Sequence, residues 1–353
     1  MTLCILSLKR GSRLWSLDLR AMRFSPGLSA ELTGYFFKNL FKGRKRFPFV
    51  LMLEPTHRCN LACAGCDRIR LDAKERLPDL TLRECLDAAV ESNAPVVTVT
   101  GGEPLLYKDL KELISELIRM KRYIYLCSNG LLAESFVSTY EPHRRLTFSF
   151  HVDGMEGTHD RITGRPGSFG KVIEGLKAAK QKGFRVWTNT SIYKWTDRDE
   201  LINLFSLLGG LGVDGILVSP AFGYESVSDD IFLRKEEVAK VFGQIRRRLR
   251  GFPMTGTPLY FDFLEGKGEM NCMPWGSPTR NPFGWKSPCY LITDRYYGSF
   301  SELMEKTQWE AYGPGIDARC RDCMVHSGFE PAAMGECFSD PRKMLRMMWW
   351  NIR

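Results

Sequence analysis

The chain has 353 residues, with 44% hydrophobic and 26% charged side chains and a net charge of +9. That balance excludes a disordered chain, and the length suits one large α/β domain with extensions, or two domains. No stretch reaches the ~20 apolar residues a bilayer-spanning helix needs. Residues 1–8 are expected to be neither leader nor anchor, so the eleven cysteines point to a reducing compartment and metal binding rather than a disulfide framework.

Residues 1–47 are mixed and aromatic-rich. Phe37, Leu40 and Phe41 fall at i, i+3 and i+4, which predicts a short amphipathic helix ending near Gly43. Lys38, Lys42, Arg44, Lys45 and Arg46 add positive charge with no acid between them. From Pro48 to about residue 255, apolar strands alternate with helical stretches. Strands are predicted at 49–53, 96–99, 124–127, 146–151, 185–190 and 216–219. Helices are predicted at 81–92, 110–121, 132–139, 169–182 and 197–209, the first supported by a Thr81/Glu84 capping box. Such alternation implies βαβ units on a parallel sheet. Six strands are too few for an eight-stranded barrel, so the fold class is α/β, an open partial (β/α)6 barrel. Beyond residue 255 the rhythm stops. The Pro-, Gly- and Trp-rich segment 272–289 is predicted to be loop-like, and Cys320, Cys323 and Cys337 follow it. The expected organisation is a basic, aromatic segment 1–47, a core 48–255 and a Cys/Trp-rich region 256–353. The basic runs 246–250 and 342–353 suit an anionic membrane surface or nucleic acid, and no RNA-binding module is recognisable. In the tail, Leu345, Met348, Trp349 and Ile352 form an apolar face at helical spacing with arginines beside it, the pattern of an interfacial helix.

The chemistry is concentrated at three strand ends. Cys59, Cys63 and Cys66 follow the first strand at spacings of four and three. Three thiolates are one short of the four a cubane cluster normally takes, so one iron would stay open to a non-protein ligand. A zinc knuckle with His57 as fourth ligand is the alternative reading of that spacing. After the second strand comes Gly101-Gly102-Glu103-Pro104, where two glycines let the backbone approach a ligand closely and a carboxylate can accept from an ammonium group. On the fourth strand, alternation puts Ser149, His151 and Asp153 on one polar face. That face points either to a ligand or to pairing of His151 with Asp153. Cys127 ends the third strand, where a barrel presents side chains to its mouth, although a buried cysteine is also an ordinary core residue.

Together the Cys59/Cys63/Cys66 loop and the Gly101-Gly102-Glu103 turn resemble the radical S-adenosylmethionine (SAM) superfamily. Stretches over residues 45–335 resemble, more narrowly, its hopanoid-pathway family of adenosylhopane synthases. They include 48–66, 95–106, Tyr125 to Asn129, 212–216, 274–291 and Cys320 to His326. The resemblance implies a three-Cys [4Fe–4S] cluster and SAM, with Gly101, Gly102 and Glu103 at the SAM amino group, Ser149 and Asn189 at its ribose and carboxylate, and the 218–220 strand end beside the adenine. It implies transfer of the 5′-deoxyadenosyl group to the terminal alkene of diploptene, with Cys127 as hydrogen-atom donor. The expected partners are a hopanoid lipid and a flavodoxin- or ferredoxin-type electron donor, with no nucleic acid. The expected location is the cytoplasm, peripheral at the inner face of the membrane. The other reading is hydrogen abstraction from a peptide, lipid or small molecule, with Cys272, Cys289, Cys320 and Cys323 on an auxiliary cluster as in peptide-modifying relatives. A non-enzymatic metal protein is the third.

Overall fold

The structure, a computed structural model, describes residues 22–66, 78–224, 227 and 230–352. The 1–8 segment and Arg353 of the basic tail lie outside the described residues. Helix α1, Pro26–Phe41, comes first. Ser25 caps it by accepting from Leu28 N, and Pro26 sits at the first position, where its missing N–H costs no bond. The alternating elements then follow: β1 Val50–Thr56, α2 Leu82–Ser92, β2 Val96–Gly101, α3 Leu110–Arg119, β3 Tyr123–Ser128, α4 Ala133–Thr139, β4 Leu146–His151, α5 Glu156–Thr163, α6 Ser168–Lys182, β5 Arg185–Ile192, α7 Arg198–Gly210 and β6 Gly215–Pro220. All six expected strands and all five expected helices are present, and α5 is additional. The Thr81/Glu84 capping box forms in both directions.

The six strands pair in parallel in sequence order. Their outward residues pack on the helices in one continuous core; Ile124, Leu126, Phe148 and Phe150 are all at most 1% exposed. The opposite face curves into a barrel. Tyr125 of β3 and Trp187 of β5 meet at a ring separation of 4.7 Å although β4 lies between their strands. In register above Tyr125 stand Cys127 and Ser149, and above Trp187 stand Asn189 and His151. One polar row therefore lines the inside of the barrel, because strand side chains repeat every second residue.

The C-terminal part contains α8 Lys235–Ile245, α9 Pro258–Leu264, β7 Thr279–Asn281, β8 Gly284–Pro288, β9 Thr293–Tyr297, α10 Phe300–Lys306, α11 His326–Ser339 and α12 Pro341–Ile352. The expectation that 272–289 is loop-like is corrected here. Strand β7 pairs in parallel with β1, and β8 and β9 add antiparallel strands, so nine strands form one sheet. Two features hid them. Strand β7 has only three residues, and β8 is buried on both faces, so neither shows alternation. Gly284 adopts φ +133, and a Cβ there would lie 2.7 Å from the Tyr297 carbonyl oxygen, so a residue read as a breaker in fact lets two strands close.

Helices α1 and α12 lie across the N-terminal ends of the barrel strands. Arg145, just before β4, pairs with Glu31 at 3.0 Å, and Arg185, the first residue of β5, donates to Met22 O at 3.1 Å. Asn351 of α12 bonds Phe24 N through its side chain at 2.7 Å, and Phe36 of α1 stacks on Phe338 at 4.2 Å. No helix of the described residues is long and apolar enough to cross a membrane.

Candidate active site

The cysteine loop leaves the C-terminal end of β1, and the Gly-Gly-Glu turn leaves the adjacent end of β2. The two are bonded together. Gly102 N donates to Thr56 O at 2.9 Å and Glu103 N donates to Arg58 O at 2.7 Å. This revises the expected purpose of the glycines. A Cβ on Gly101, at φ +112, would meet Thr56 O at 2.5 Å, and one on Gly102 would meet Arg58 O at 2.1 Å. The close approach they allow is to the chain's own backbone, where it locks the turn under the start of the cysteine loop.

Glu103 is fully buried. Its Oε1 accepts from Leu105 N at 3.0 Å and Ser128 Oγ at 2.9 Å, and its Oε2 accepts from Asn129 N at 2.8 Å. Burial pushes its carboxyl up to about 7, against the pull of those three donors. An ionised carboxylate offers about four lone-pair positions. Three are filled, and the remaining one is on Oε2. Asn129 is a bridge that the sequence reading did not single out. Its Nδ2 donates to Asn60 Oδ1 at 2.7 Å and approaches Cys59 Sγ at 3.9 Å, while its Oδ1 accepts from Leu131 N. The end of β3 thereby fixes the cysteine loop from the side. The only sequence signal was an Asn-Gly pair at a strand end, which usually marks a plain turn.

The loop's far half rests on α5 and on a small apolar cluster. Ala64 N donates to Ile162 O at 2.7 Å, and Ile162, Tyr193 and Ala221 pack with Ile231 and Phe232. Gly65 turns the chain at φ +78, which brings Cys66 N to Cys63 O at 3.2 Å. None of the ten described cysteines is in a disulfide. Burial pushes the Cys59 thiol up to about 11 and raises Cys63 further, so these sulfurs are protonated unless a metal takes the proton's place. A cleft of about 420 Å³ borders the loop, lined by His57, Cys59, Asn60, Leu61, Ala62, Thr163, Gly164 and Arg165.

Inside the barrel, Cys127, Ser149, Asn189 and His151 come together. The Cys127 thiol bonds to Ser149 and lies within electrostatic range of Glu103, and burial pushes it up to about 12. His151 Nε2 meets Asp153 Oδ2 at 2.6 Å, and its Nδ1 faces Asn189 Nδ2 at 3.4 Å. Burial alone would lower the imidazole; Asp153 outweighs it and holds it above the ordinary histidine value. Asp153 is fully buried and also accepts from Ser191 N at 2.7 Å. It therefore does not face a wet cavity, and the pairing of His151 with Asp153 is the arrangement formed. Asn189 Oδ1 is buried with no hydrogen-bond partner. An orphan acceptor on the inner wall is what a bound polar ligand would satisfy.

The sequence profile of the radical SAM superfamily matches residues 53–208, which contain both strand-end motifs, and a domain of unknown function (DUF3463) matches residues 216–347. A GTP 3′,8-cyclase of Aquifex aeolicus is 30% identical over 231 residues, covering 62% of this chain and 72% of the cyclase. The subtilosin biosynthesis protein AlbA of Bacillus subtilis is 23% identical over 316 residues, 81% of this chain and 68% of its own. Among solved structures, Streptococcus suis SuiB superposes with a TM-score of 0.61 at 13% identity, covering 90% of this chain and 81% of SuiB. A second structure of that protein, bound to SAM, gives 0.59 at 14% identity, covering 88% of this chain and 78% of that one. The chain belongs to the radical SAM superfamily. Its fold is the partial barrel of that class, and membership brings a [4Fe–4S] cluster and SAM as cofactors. The residues present fit both: three undisulfided thiols on one loop, a braced carboxylate beside them with one acceptor position left, and an orphan amide oxygen in the barrel wall.

Proposed function

We propose that this radical SAM enzyme adds the 5′-deoxyadenosyl group of SAM to the terminal alkene of diploptene, giving adenosylhopane. In this reading Cys59, Cys63 and Cys66 hold the cluster, the Gly101-Gly102-Glu103 turn receives the SAM amino group, and Ser149 and Asn189 receive its ribose and carboxylate. When bound, the reduced cluster and SAM supply a 5′-deoxyadenosyl radical, whose addition to the terminal methylene opens the π bond and leaves a tertiary carbon radical. Cys127 gives that carbon a hydrogen atom from its weak S–H bond. The thiyl left behind returns to the thiol on taking one electron, from a flavodoxin- or ferredoxin-type donor, and one proton.

The observation that carries the reading is the Cys127 thiol, kept protonated by burial on the inner wall beside Ser149 and Glu103. A thiol on the inner wall can return a hydrogen atom to a substrate-derived carbon radical, the step that remains once the 5′-deoxyadenosyl group has added to an alkene. An enzyme that adds the radical to an alkene needs such a donor to finish.

A lipid substrate also requires contact with a membrane, and the barrel's closed end supports it. Leu345, Met348, Trp349 and Ile352 of α12 are exposed, Trp349 by 60%, while Met347 and Asn351 on the other side of the helix are buried. Phe37, Leu40 and Phe41 of α1 are exposed too, Phe41 by 86%. Lys38, Lys42 and Lys45 lie on or after α1 and Arg342 lies in the first turn of α12, and a basic residue near an anionic surface is worth about 1 kcal/mol, whereas Lys343 and Arg346 are paired with Glu336 and Asp262. This face is the anchor in our reading. The mouth lies at the strands' other end, so the hopanoid must be drawn out of the bilayer to reach it.

The second reading, hydrogen abstraction from a peptide, is favoured by Cys272, Cys289, Cys320 and Cys323, which line one cavity of about 260 Å³ beside the end of β6. One experiment separates the two: anaerobic incubation with SAM, a low-potential reductant and diploptene, followed by mass analysis. An adenosylated, saturated hopanoid supports addition. Release of 5′-deoxyadenosine with diploptene unchanged overturns it.

A further inference from the structure

The barrel wall carries a line of three side chains that ends in the orphan amide. Asp153, just past β4, is fully buried, and its Oδ1 accepts from Ser191 N at 2.7 Å. Its Oδ2 meets His151 Nε2 at 2.6 Å, and His151 Nδ1 faces Asn189 Nδ2 at 3.4 Å, a long contact that leaves the amide room to turn. His151 and Asn189 are register partners on β4 and β5, so the sheet holds the two side chains side by side. The other end of the amide, Oδ1, is buried and has no hydrogen-bond partner among the described residues. The Asn189 backbone is held separately, its carbonyl accepting from Val152 N at 2.9 Å, so the side chain is not needed to hold the strand.

We propose that Asp153 and His151 are positioning residues that decide which end of the Asn189 amide faces the barrel interior: its oxygen while the imidazole is neutral, its nitrogen once the imidazole is protonated. The two ends of an amide have nearly the same shape, so its hydrogen bonds decide which way it points. An ionised carboxylate only accepts, so Asp153 takes the Nε2 hydrogen of His151. In a neutral imidazole the other nitrogen then only accepts. It can face the amide NH2 and not the amide oxygen, which is left to the interior, where it selects a ligand group that donates. Internal pairing alone does not account for this, because a network closed on itself leaves no buried acceptor open. The inference rests on the reading above in which Asn189 receives SAM. It narrows the contact to a ribose hydroxyl, since the SAM carboxylate has no hydrogen to give.

A second proton on His151 reverses the arrangement. Nδ1 then carries a hydrogen that the amide oxygen accepts, and the NH2 turns inward. Burial pulls the imidazole down, and Asp153 outweighs it and holds it above the ordinary histidine value. The preference for a donating ligand group is therefore full above that raised value and lost as pH falls through it. The other titratable groups around the pair do not change charge in this range. His159 of α5, whose Nδ1 accepts from Asp153 N, is held down to about 4 by burial. Tyr193, after β5, is held well up by burial, and Cys127 of β3 is pushed up to about 12. Cys63, within electrostatic range of Asp153, is a cluster ligand in the reading above.

The test is binding of SAM, and of SAM analogues with fluorine in place of the 2′ or the 3′ hydroxyl, to the anaerobically reconstituted holoenzyme across pH. Fluorine has no hydrogen to donate, and the ratio of the two affinities cancels every pH effect the ligands share. Above the imidazole's value the wild type should prefer SAM over one of the two analogues by about tenfold, the worth of one hydrogen bond. That preference should fall away as pH drops through the value. Asp153→Asn should move the transition to lower pH, and His151→Leu, which leaves the buried carboxylate in place, should remove the transition. Asn189→Asp should keep the preference on both sides, because a carboxylate has no NH2 end to turn inward. A brace with no part in orienting the amide would move none of these profiles. A preference that is lost in Asn189→Ala but flat with pH in the wild type would overturn the positioning role and leave the reading of Asn189 standing. A full preference in Asn189→Ala would overturn both.

Discussion

The barrel loop and the C-terminal cavity both collect cysteines, by opposite means. The loop draws three from eight consecutive residues, 59–66, and borrows its rigidity from neighbours: the Gly101–Glu103 turn, Asn129 and α5. The cavity draws four from positions spread over 272–323 and brings them together only by adding β7, β8 and β9 to the sheet. The loop supplies three thiols within eight residues and no fourth. The difference teaches that one chain can gather thiols by local spacing in one place and only through its fold in another.

The comparison breaks most sharply at the loop. Replacing Cys59, Cys63 and Cys66 with alanine is expected to abolish SAM cleavage. Product analysis for methionine and 5′-deoxyadenosine checks it, and retained cleavage would mean the wrong set was assigned to SAM.

Next in size is Cys127→Ala. SAM cleavage should continue, saturated adenosylhopane should fall sharply, and unsaturated or otherwise altered adenosylated lipids should take its place. Unchanged yield of the saturated product would remove the thiol from the mechanism.

Glu103→Ala should weaken SAM binding by about 1.5–3 kcal/mol, the worth of a charge-assisted hydrogen bond. It should also lower thermal stability, because Leu105 N, Ser128 Oγ and Asn129 N would lose their common acceptor. Glu103→Gln should recover part of the stability and less of the affinity. Titration calorimetry and thermal melts measure the two effects. A variant that loses stability with SAM affinity intact would mark Glu103 as a brace only.

The smallest effect is expected at the anchor. Leu345→Glu with Trp349→Glu should reduce co-sedimentation with anionic vesicles and leave SAM cleavage unchanged. Point changes are the better probe than removal of the tail, since Asn351 holds Phe24 and Ser29 in place. Equal sedimentation would assign this face to a protein partner.

What the sequence revealed follows the same division. The three-cysteine loop, the Gly-Gly-Glu turn, the six parallel strands and the inward side of β4 at Ser149 and His151 were legible because spacing and alternation are local signals, whereas Asn189 came only with the resemblance. The glycines at 101 and 102 were visible, but what they touch was not, since Thr56 and Arg58 are some 45 residues earlier. Asn129 was missed for the same reason: its bonds to Asn60 and Cys59 span about 70 residues. Strands β7 to β9 were hidden by shortness and two-sided burial, and with them went the geometry that gathers Cys272, Cys289, Cys320 and Cys323.

The most direct test of radical addition followed by thiol donation is the anaerobic reaction in deuterated water. If the Cys127 thiol is the donor and regains its proton from solvent after each turnover, adenosylhopane should carry one deuterium, at the carbon that had been the tertiary radical. Deuterium-free adenosylhopane, or 5′-deoxyadenosine as the main product bearing hydrogen taken from the lipid, would contradict it.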